Sequence, residues 1–313
     1  MLLRIENLKT YFESKRGVVK AVDGVSFTVN RGEFVSVVGE SGCGKSTLAY
    51  SIIRLINPPG KIVGGRIIFD GKDLLRLSEK EMRKIRGKEI GMIFQDPMTS
   101  LDPLEKIGDQ MAETIMEHVK VSKKEALEIA GKMLEKVGLP ANRINYYPHQ
   151  LSGGQRQRVM IAMAISLNPK LLIADEPTTA LDVIVQEKIM DILESMKKEG
   201  RTIILITHDF ALASERSDKI AVMYAGWLVE FGKARDLVED PLHPYSKALI
   251  DSVPDLWMDK KIKPIPGFPP DLANPPEGCR FRPRCPLADE KCKKEPPAVD
   301  LEGRIVKCWH YEV

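Results

Sequence analysis

The chain has 313 residues, of which 43% are hydrophobic and 29% charged. That is enough apolar side chain for one large domain with an appendage, or for two domains, and it excludes disorder as the main state. Lys and Arg number 47 against 44 Asp and Glu, a formal net charge of +3, too mild to imply a nucleic acid or an anionic membrane surface, which call for clustered basic residues.

The elements follow in chain order. Residues 2–30 alternate apolar and polar, with turn residues at Gly17 and Asn30-Arg31-Gly32, a pattern for antiparallel strands. The opening MLLRIENLKTYFESKRG carries Arg4 and Glu6 where a signal peptide would be apolar, so a cytoplasmic, unprocessed chain is expected. FVSVV at residues 34–38 predicts a buried strand, followed by a helix from Lys45. Ala, Glu, Lys and Met dominate residues 104–168, a helical insertion without a convincing strand. Its apolar run at residues 159–167, interrupted only by Ser166, is about half of the roughly 18 residues needed to span a membrane. LLIA at 171–174 predicts a strand, residues 183–194 a helix, and IILIT at 203–207 another strand. This alternation argues for an α/β domain with parallel buried strands. Eleven of the 21 prolines lie between Pro254 and Pro297, which predicts a boundary near residue 255 and a tail of loops and turns too poor in periodic apolar residues to fold without a staple.

Gly39-Glu40-Ser41-Gly42-Cys43-Gly44-Lys45-Ser46, followed by Thr47, fits the phosphate loop G-x-x-x-x-G-K-[ST] between a strand and a helix. Its backbone N–H groups would point at phosphates, Lys45 would reach the β and γ oxygens, and the Ser46 hydroxyl would bind Mg²⁺. A Gly-rich turn without ligand is the plain alternative. Cys43 sits near a helix N-terminus, where a thiol pKa tends to fall. Alkylation that slows turnover and is blocked by MgATP is expected there. The strand LLIA runs into Asp175-Glu176, two carboxylates suited to hold the Mg²⁺ shell (Asp175) and to act as general base on water (Glu176), or simply to cap the next helix. His208 follows IILIT, placed to hydrogen-bond a γ-phosphate. Leu151-Ser152-Gly153-Gly154-Gln155 opens a helix with a hydroxyl, two glycines and a positive helix end, an anion site in its own right.

In that order (P-loop, Gln95, LSGGQ, LLIADE, Ala180-Leu181-Asp182, His208) the motifs of residues 1 to about 240 resemble those of ABC ATPases. The resemblance implies an α/β fold: a RecA-like P-loop NTPase core with an antiparallel β subdomain and a helical subdomain at about 96–168. It also implies two ATPase domains head to tail, each ATP lying between one P-loop and the partner's signature (Ser152, Gly153, Gly154, Gln155). Gln95 would contact Mg²⁺ and the attacking water and link the site to a transmembrane partner, and Asp182 would contact the opposite subunit. An aromatic at Phe12, or the adjacent Tyr11, would stack on adenine. Either is also a plausible strand-face core residue.

QDPMTSLDP after Gln95, YYPHQLSGGQRQRVMIAMAI and DPLHPYSKALIDSVP at 240–254 further resemble the ATPase subunits of dipeptide and oligopeptide importers, over nearly the whole chain. Gln155 departs from the methionine common in that group. The resemblance implies a nucleotide-binding domain at 1–240 and an extension at 241–313. It implies as partners two transmembrane permease subunits, a second ATPase subunit (the same chain or a related one) and, indirectly, an extracytoplasmic binding protein, with a place on the cytoplasmic face of the membrane. Peptides are the implied cargo, with oligosaccharides or nickel chelates as alternatives. Soluble non-transport ABC ATPases and non-catalytic ABC subunits are the rival classes.

Four of the five cysteines, Cys279, Cys285, Cys292 and Cys308, fall in the last 35 residues, separated by five, six and fifteen residues without a C-x2-C pair. That spacing alone identifies no metal. Clustering in a tail with little core suggests a thiolate staple, and the family resemblance implies a [4Fe-4S] cluster, with zinc, disulfides or free thiols as alternatives. Its role would be structural. Arg280, Arg282, Arg284, Lys291, Lys293 and Lys294 would offset thiolate charge or form a solvated face, and His310 stands near Cys308.

Overall fold

The computed structural model describes residues 1–96, 100–179, 181–252 and 264–311. Pro97-Met98-Thr99, Ala180 and Val253-Pro254, each part of a sequence motif above, lie outside them. The chain divides into two compact units, Met1–Arg76 with Leu205–Val313, and Leu77–Ile204.

In the first unit, β1 (Leu3–Ser14) and β2 (Gly17–Val29) form an antiparallel hairpin. β1 also pairs antiparallel with β4 (Gly60–Phe69), and β5 (Lys72–Asp73) completes the order β2-β1-β4-β5. Leu3, Ile5, Leu8 and Thr10 of β1 are buried. The step of three between Ile5 and Leu8 breaks the two-residue period, and there the register shifts and Asn7 takes φ 45°, a bulge that returns the apolar side chains to one face. β3 (Phe34–Val38) is buried throughout and leads through the phosphate loop into α1 (Lys45–Ile52).

The second unit begins with α2 (Glu79–Ile85), entered through a Ser78–Glu81 capping box, and β6 (Ile90–Ile93). Helices α3 (Ile107–His118), α4 (Lys123–Lys136) and α5 (Gly153–Ile165) follow. Apart from short 3₁₀ turns they are the only regular elements among the described residues between 104 and 168. β7 (Leu171–Asp175) pairs parallel with β6, α6 (Val183–Lys198) follows, and Thr202–Ile204 of β8 (Thr202–Thr207) lie beside β7. The continuous burial of β7 and β8 is what parallel strands covered on both faces require.

Leu205–Thr207 of β8 belong to the first unit, next to β3. The chain continues there through α7 (Phe210–Arg216) to β9 (Lys219–Tyr224), parallel to β3, and β10 (Trp227–Lys233), antiparallel to β9. Short helices α8 (Ala234–Glu239) and α9 (Pro244–Asp251) come next. The tail then departs from the expected loops and turns. β11 (Ala298–Leu301) and β12 (Arg304–Lys307) form a hairpin, and β12 pairs with β10, lengthening the main sheet. Glu302 (φ 54°) and Gly303 (φ 88°) supply the left-handed pair of a tight hairpin turn. The alternation in AVDLEGRIV was the available signal, masked by the prolines before it.

No helix of the described residues is long and apolar enough to cross a membrane.

Candidate functional site

The phosphate loop leaves β3 with three glycines at positive φ: Gly39 (152°), Gly42 (77°) and Gly44 (107°). A Cβ at Gly44 would stand 2.0 Å from the Ala21 carbonyl oxygen, and one at Gly39 2.1 Å from that of Met223, so both must be glycine for reasons of space as well as φ. No side chain caps α1, and Gly44 stands at its N-cap, where the first N–H groups of the helix are suited to an anion. Lys45 is buried, its Nζ donating to the carbonyls of Gly39 (2.8 Å) and Glu40 (3.1 Å). Ser46 and Thr47 follow in the first turn of α1, and Ser41 is exposed at the loop's crest.

Cys43 corrects the sequence expectation. It is 5% exposed, and burial pushes its thiol up to about 11 against the opposing pull of Lys45. Desolvation of the thiolate outweighs the helix terminus.

In the first unit, Tyr11 and Phe12 stand half-buried on β1. The Tyr11 hydroxyl donates to Asp23 Oδ1 at 2.6 Å, and burial followed by this bond raises its pKa. The Phe12 ring occupies the space over Gly60, where a Cβ would be 2.4 Å from Cε1. His208 is exposed directly after β8, and Asp209 caps α7 through the Leu212 N–H.

The second unit carries the carboxylates. Asp175, the last residue of β7, is fully buried, and Glu176 follows with φ 44°. A left-handed glutamate is strained, and such strain is concentrated at working sites. Glu176 Oε2 accepts from Gln95 Nε2 (3.0 Å) and from the Thr179 hydroxyl (3.0 Å). The first bond engages the amide nitrogen of Gln95. Within this unit the side chains of Gln95, Asp175 and Glu176 offer hard oxygen donors, of the kind Mg²⁺ prefers.

The signature segment builds a helix start. Ser152 Oγ accepts from the Gln155 N–H (3.4 Å), and Gln155 Oε1 accepts from the Ser152 N–H (3.1 Å), a closed capping box at α5. Gln155 therefore satisfies the helix terminus. A Cβ on Gly153 would meet open space, while one on Gly154 would stand 3.1 Å from Val185. Asp182 caps α6, accepting from the Val185 N–H at 3.0 Å.

The four tail cysteines gather loosely. The Cys279 N–H donates to the Cys292 carbonyl (2.9 Å), Cys292 and Cys308 are buried, and Cys285 feels the charge of the other three thiols. Burial raises all four thiols, Cys285 to about 11. Among the described residues, no three His, Cys, Asp or Glu side chains are grouped to hold a metal ion, so as arranged the thiols do not fit a cluster or zinc. Of the basic residues between them, two act elsewhere than expected, while the charge of Arg282 does pull the Cys292 thiol down against burial. Arg280 and Arg284 are buried and pair with Asp23 and Glu40, while Lys293 pairs with the exposed Glu290.

Residues 22–179 match the family model described as ABC transporter, and residues 229–292 that of the oligopeptide/dipeptide transporter C-terminal region. The dipeptide transport ATP-binding protein DppD of Bacillus subtilis (strain 168) is 47% identical over 315 residues, 98% of this chain and 94% of its own length. The oligopeptide transport ATP-binding protein OppD of Salmonella typhimurium (strain LT2) is 47% identical over 314 residues, 99% of this chain and 93% of its own. Among solved structures, a dimeric post-hydrolysis state of the ATP-binding cassette MJ0796 bound to ADP and Pi is similar at a TM-score of 0.68 and 32% identity, over 75% of this chain and 99% of that one. A phosphate loop, a signature helix and a matched carboxyl-terminal region in one chain agree with these likenesses, and the chain belongs to the ABC transporter family as an ATPase subunit with the carboxyl-terminal region of its oligopeptide/dipeptide members.

Proposed function

We propose that the chain hydrolyses ATP to drive uptake of dipeptides or short oligopeptides through a partner permease. The observation that carries this reading is the 47% identity to dipeptide and oligopeptide transport ATP-binding proteins over nearly the whole chain, carboxyl-terminal region included. The protein works as a dimer of two such ATPase subunits, identical or related, docked on two transmembrane permease subunits at the cytoplasmic face of the membrane, with a binding protein delivering cargo from outside.

In this reading the N–H groups from Gly39 to Thr47 and the Lys45 ammonium bind the triphosphate. The Tyr11–Phe12 pair receives the adenine. Ser46, Gln95 and Asp175 supply oxygen donors for Mg²⁺, which offsets phosphate charge when bound. Glu176, held by Gln95 and Thr179, takes the proton of the attacking water, and His208 donates to the γ-phosphate. Ser152, Gly153, Gly154 and Gln155 close over the ATP of the partner subunit, and Asp182 lies toward that subunit. Closure on ATP and reopening after hydrolysis give the permease its two states.

The test is reconstitution of the subunit with its permease and binding protein in vesicles. Peptide uptake that requires ATP and is lost in Glu176→Gln supports the reading, whereas uptake of an oligosaccharide or a nickel chelate with none of peptide overturns the cargo. For the four cysteines we propose a structural role in the tail. A [4Fe-4S] cluster or zinc would need the thiols to regroup, and metal analysis of anaerobically purified protein checks it. About four iron and four sulfide per chain establish the cluster, one zinc without sulfide establishes zinc, and no metal leaves thiols.

A further inference from the structure

The second residue of the phosphate loop is held by the far end of the chain. His243 caps α9 through Nδ1, which accepts from the Tyr245 N–H (3.0 Å). Pro244 fits the first helical turn, where no donor is needed. Tyr245 is thereby pinned fully buried, and its hydroxyl accepts from the Glu40 N–H at 2.9 Å. Arg284 meets the same residue at its side chain, Nη1 to Oε2 at 2.6 Å and Nη2 to Oε1 at 2.9 Å. Its Nε donates to the Pro266 carbonyl (2.7 Å), and its side chain is only 4% exposed. Tyr224, Tyr245 and Phe281, with ring centroids 4.6 to 5.4 Å apart, form the base on which these groups are set. A second buried arginine, Arg280, bonds Asp23 at 2.5 Å, and Asp23 in turn holds the Tyr11 hydroxyl.

The charge arrangement calls for an explanation. A loop that cradles a highly charged anion carries a carboxylate at Glu40, and an unpaired carboxylate there would repel phosphate. The two parallel N–H···O bonds from Arg284 cancel that charge and fix its direction. Lys45 donates to the carbonyl of the same Glu40, so the set of Glu40 also sets the phosphate-binding ammonium.

We propose that Arg284 and Tyr245 are positioning residues for the phosphate loop: the carboxyl-terminal segment neutralises Glu40 and sets the loop in its nucleotide-binding shape. This rests on the reading that the phosphate loop binds ATP.

The test uses the full-length chain with MgATP, measuring the Kd for MgATP and the KM and kcat of hydrolysis. Lys45→Ala checks the underlying reading. If it binds MgATP as wild type does, the ATP site is misassigned, whereas its loss of binding lets the arginine be judged separately. Arg284→Ala should then weaken MgATP about tenfold to a hundredfold, the effect of losing a charge-assisted bidentate pair, with kcat at saturation changed less than about twofold, since ATP at saturation restores the loop. Adding Glu40→Gln should recover most of the affinity, and Arg284→Lys part of it. Tyr245→Phe should weaken binding by a smaller factor. Arg304→Met loosens the tail at its ion pair with the buried Glu230, and its KM should stay at the wild-type value. The proposal is overturned if Arg284→Ala leaves KM unchanged, if Glu40→Gln brings no recovery, or if Arg304→Met raises KM equally.

Discussion

At the scale of single residues, Cys43 and Glu176 make opposite cases. Cys43 stands at a helix start, which lowers a thiol pKa, yet burial wins and raises it to about 11. At pH 8 about one thiol in a thousand is then ionised. Iodoacetamide should label Cys43 in the native protein at least a hundredfold more slowly than in the denatured chain, and faster as pH rises toward 11. Labelling within minutes at pH 8, read by mass spectrometry, would refute this. Glu176 keeps a strained φ and two bonds to neighbouring side chains. If it is the base, Glu176→Gln should cut turnover about 10²- to 10⁴-fold while leaving MgATP affinity intact. The motif residues were legible in the sequence because few residue types let a backbone wrap phosphate. The partners of Arg280 and Arg284 were not, since 257 and 244 positions separate each arginine from its acid and no local pattern reports such a contact.

Elements show the same division. The strands at 34–38 and 171–175 and the helix from 183 were readable as continuous or periodic apolar runs. The hairpin of β11 and β12 was not, because proline density marks irregular backbone, while pairing with β10 gives a short alternating segment its second partner. Glu230 of β10 is wholly buried and accepts from the N–H groups of Leu242 and His243 and from Arg304. Arg304→Met should therefore cost about 3 kcal/mol of stability, as a buried acid left without its cation does, measured as a fall in the urea midpoint. The cap of α9 gives a pH signature. Burial depresses His243 to about 3, whereas an unfolded histidine titrates near 6.5. Below about pH 6.5 the unfolded chain takes up a proton that the native state refuses, so stability falls as pH drops, by at most about 1.4 kcal/mol per unit. In His243→Asn, which keeps a capping acceptor, urea midpoints at pH 7.5, 6 and 5 should fall less steeply than in wild type. Parallel curves would remove His243 as the cause.

For the whole molecule, the proposed function requires two ATPase subunits, and where they are identical the chain pairs with itself. Glu176→Gln with MgATP should run as a dimer by light scattering, returning to a monomer when Mg²⁺ is chelated, while wild type should reach the dimer only transiently. A monomer under every condition would refute self-pairing and leave a related ATPase subunit as the partner. Alternation of strands and helices made the α/β core legible from sequence, and the family resemblance implied its subdomains. Proline density suggests an attached tail, yet its residues share a compact unit with the first 76, because backbone pairing with β10, buried side-chain bonds and the packing of Phe281 on Tyr224 and Tyr245 tie it there. Arg284 follows Glu40 by 244 positions, so on the ribosome, at about 5–20 residues per second, some 10 to 50 s pass between synthesis of the loop and of its clasp. Throughout that interval the nascent chain carries a phosphate loop with an unneutralised glutamate, and full affinity for nucleotide waits on the arrival of Arg284.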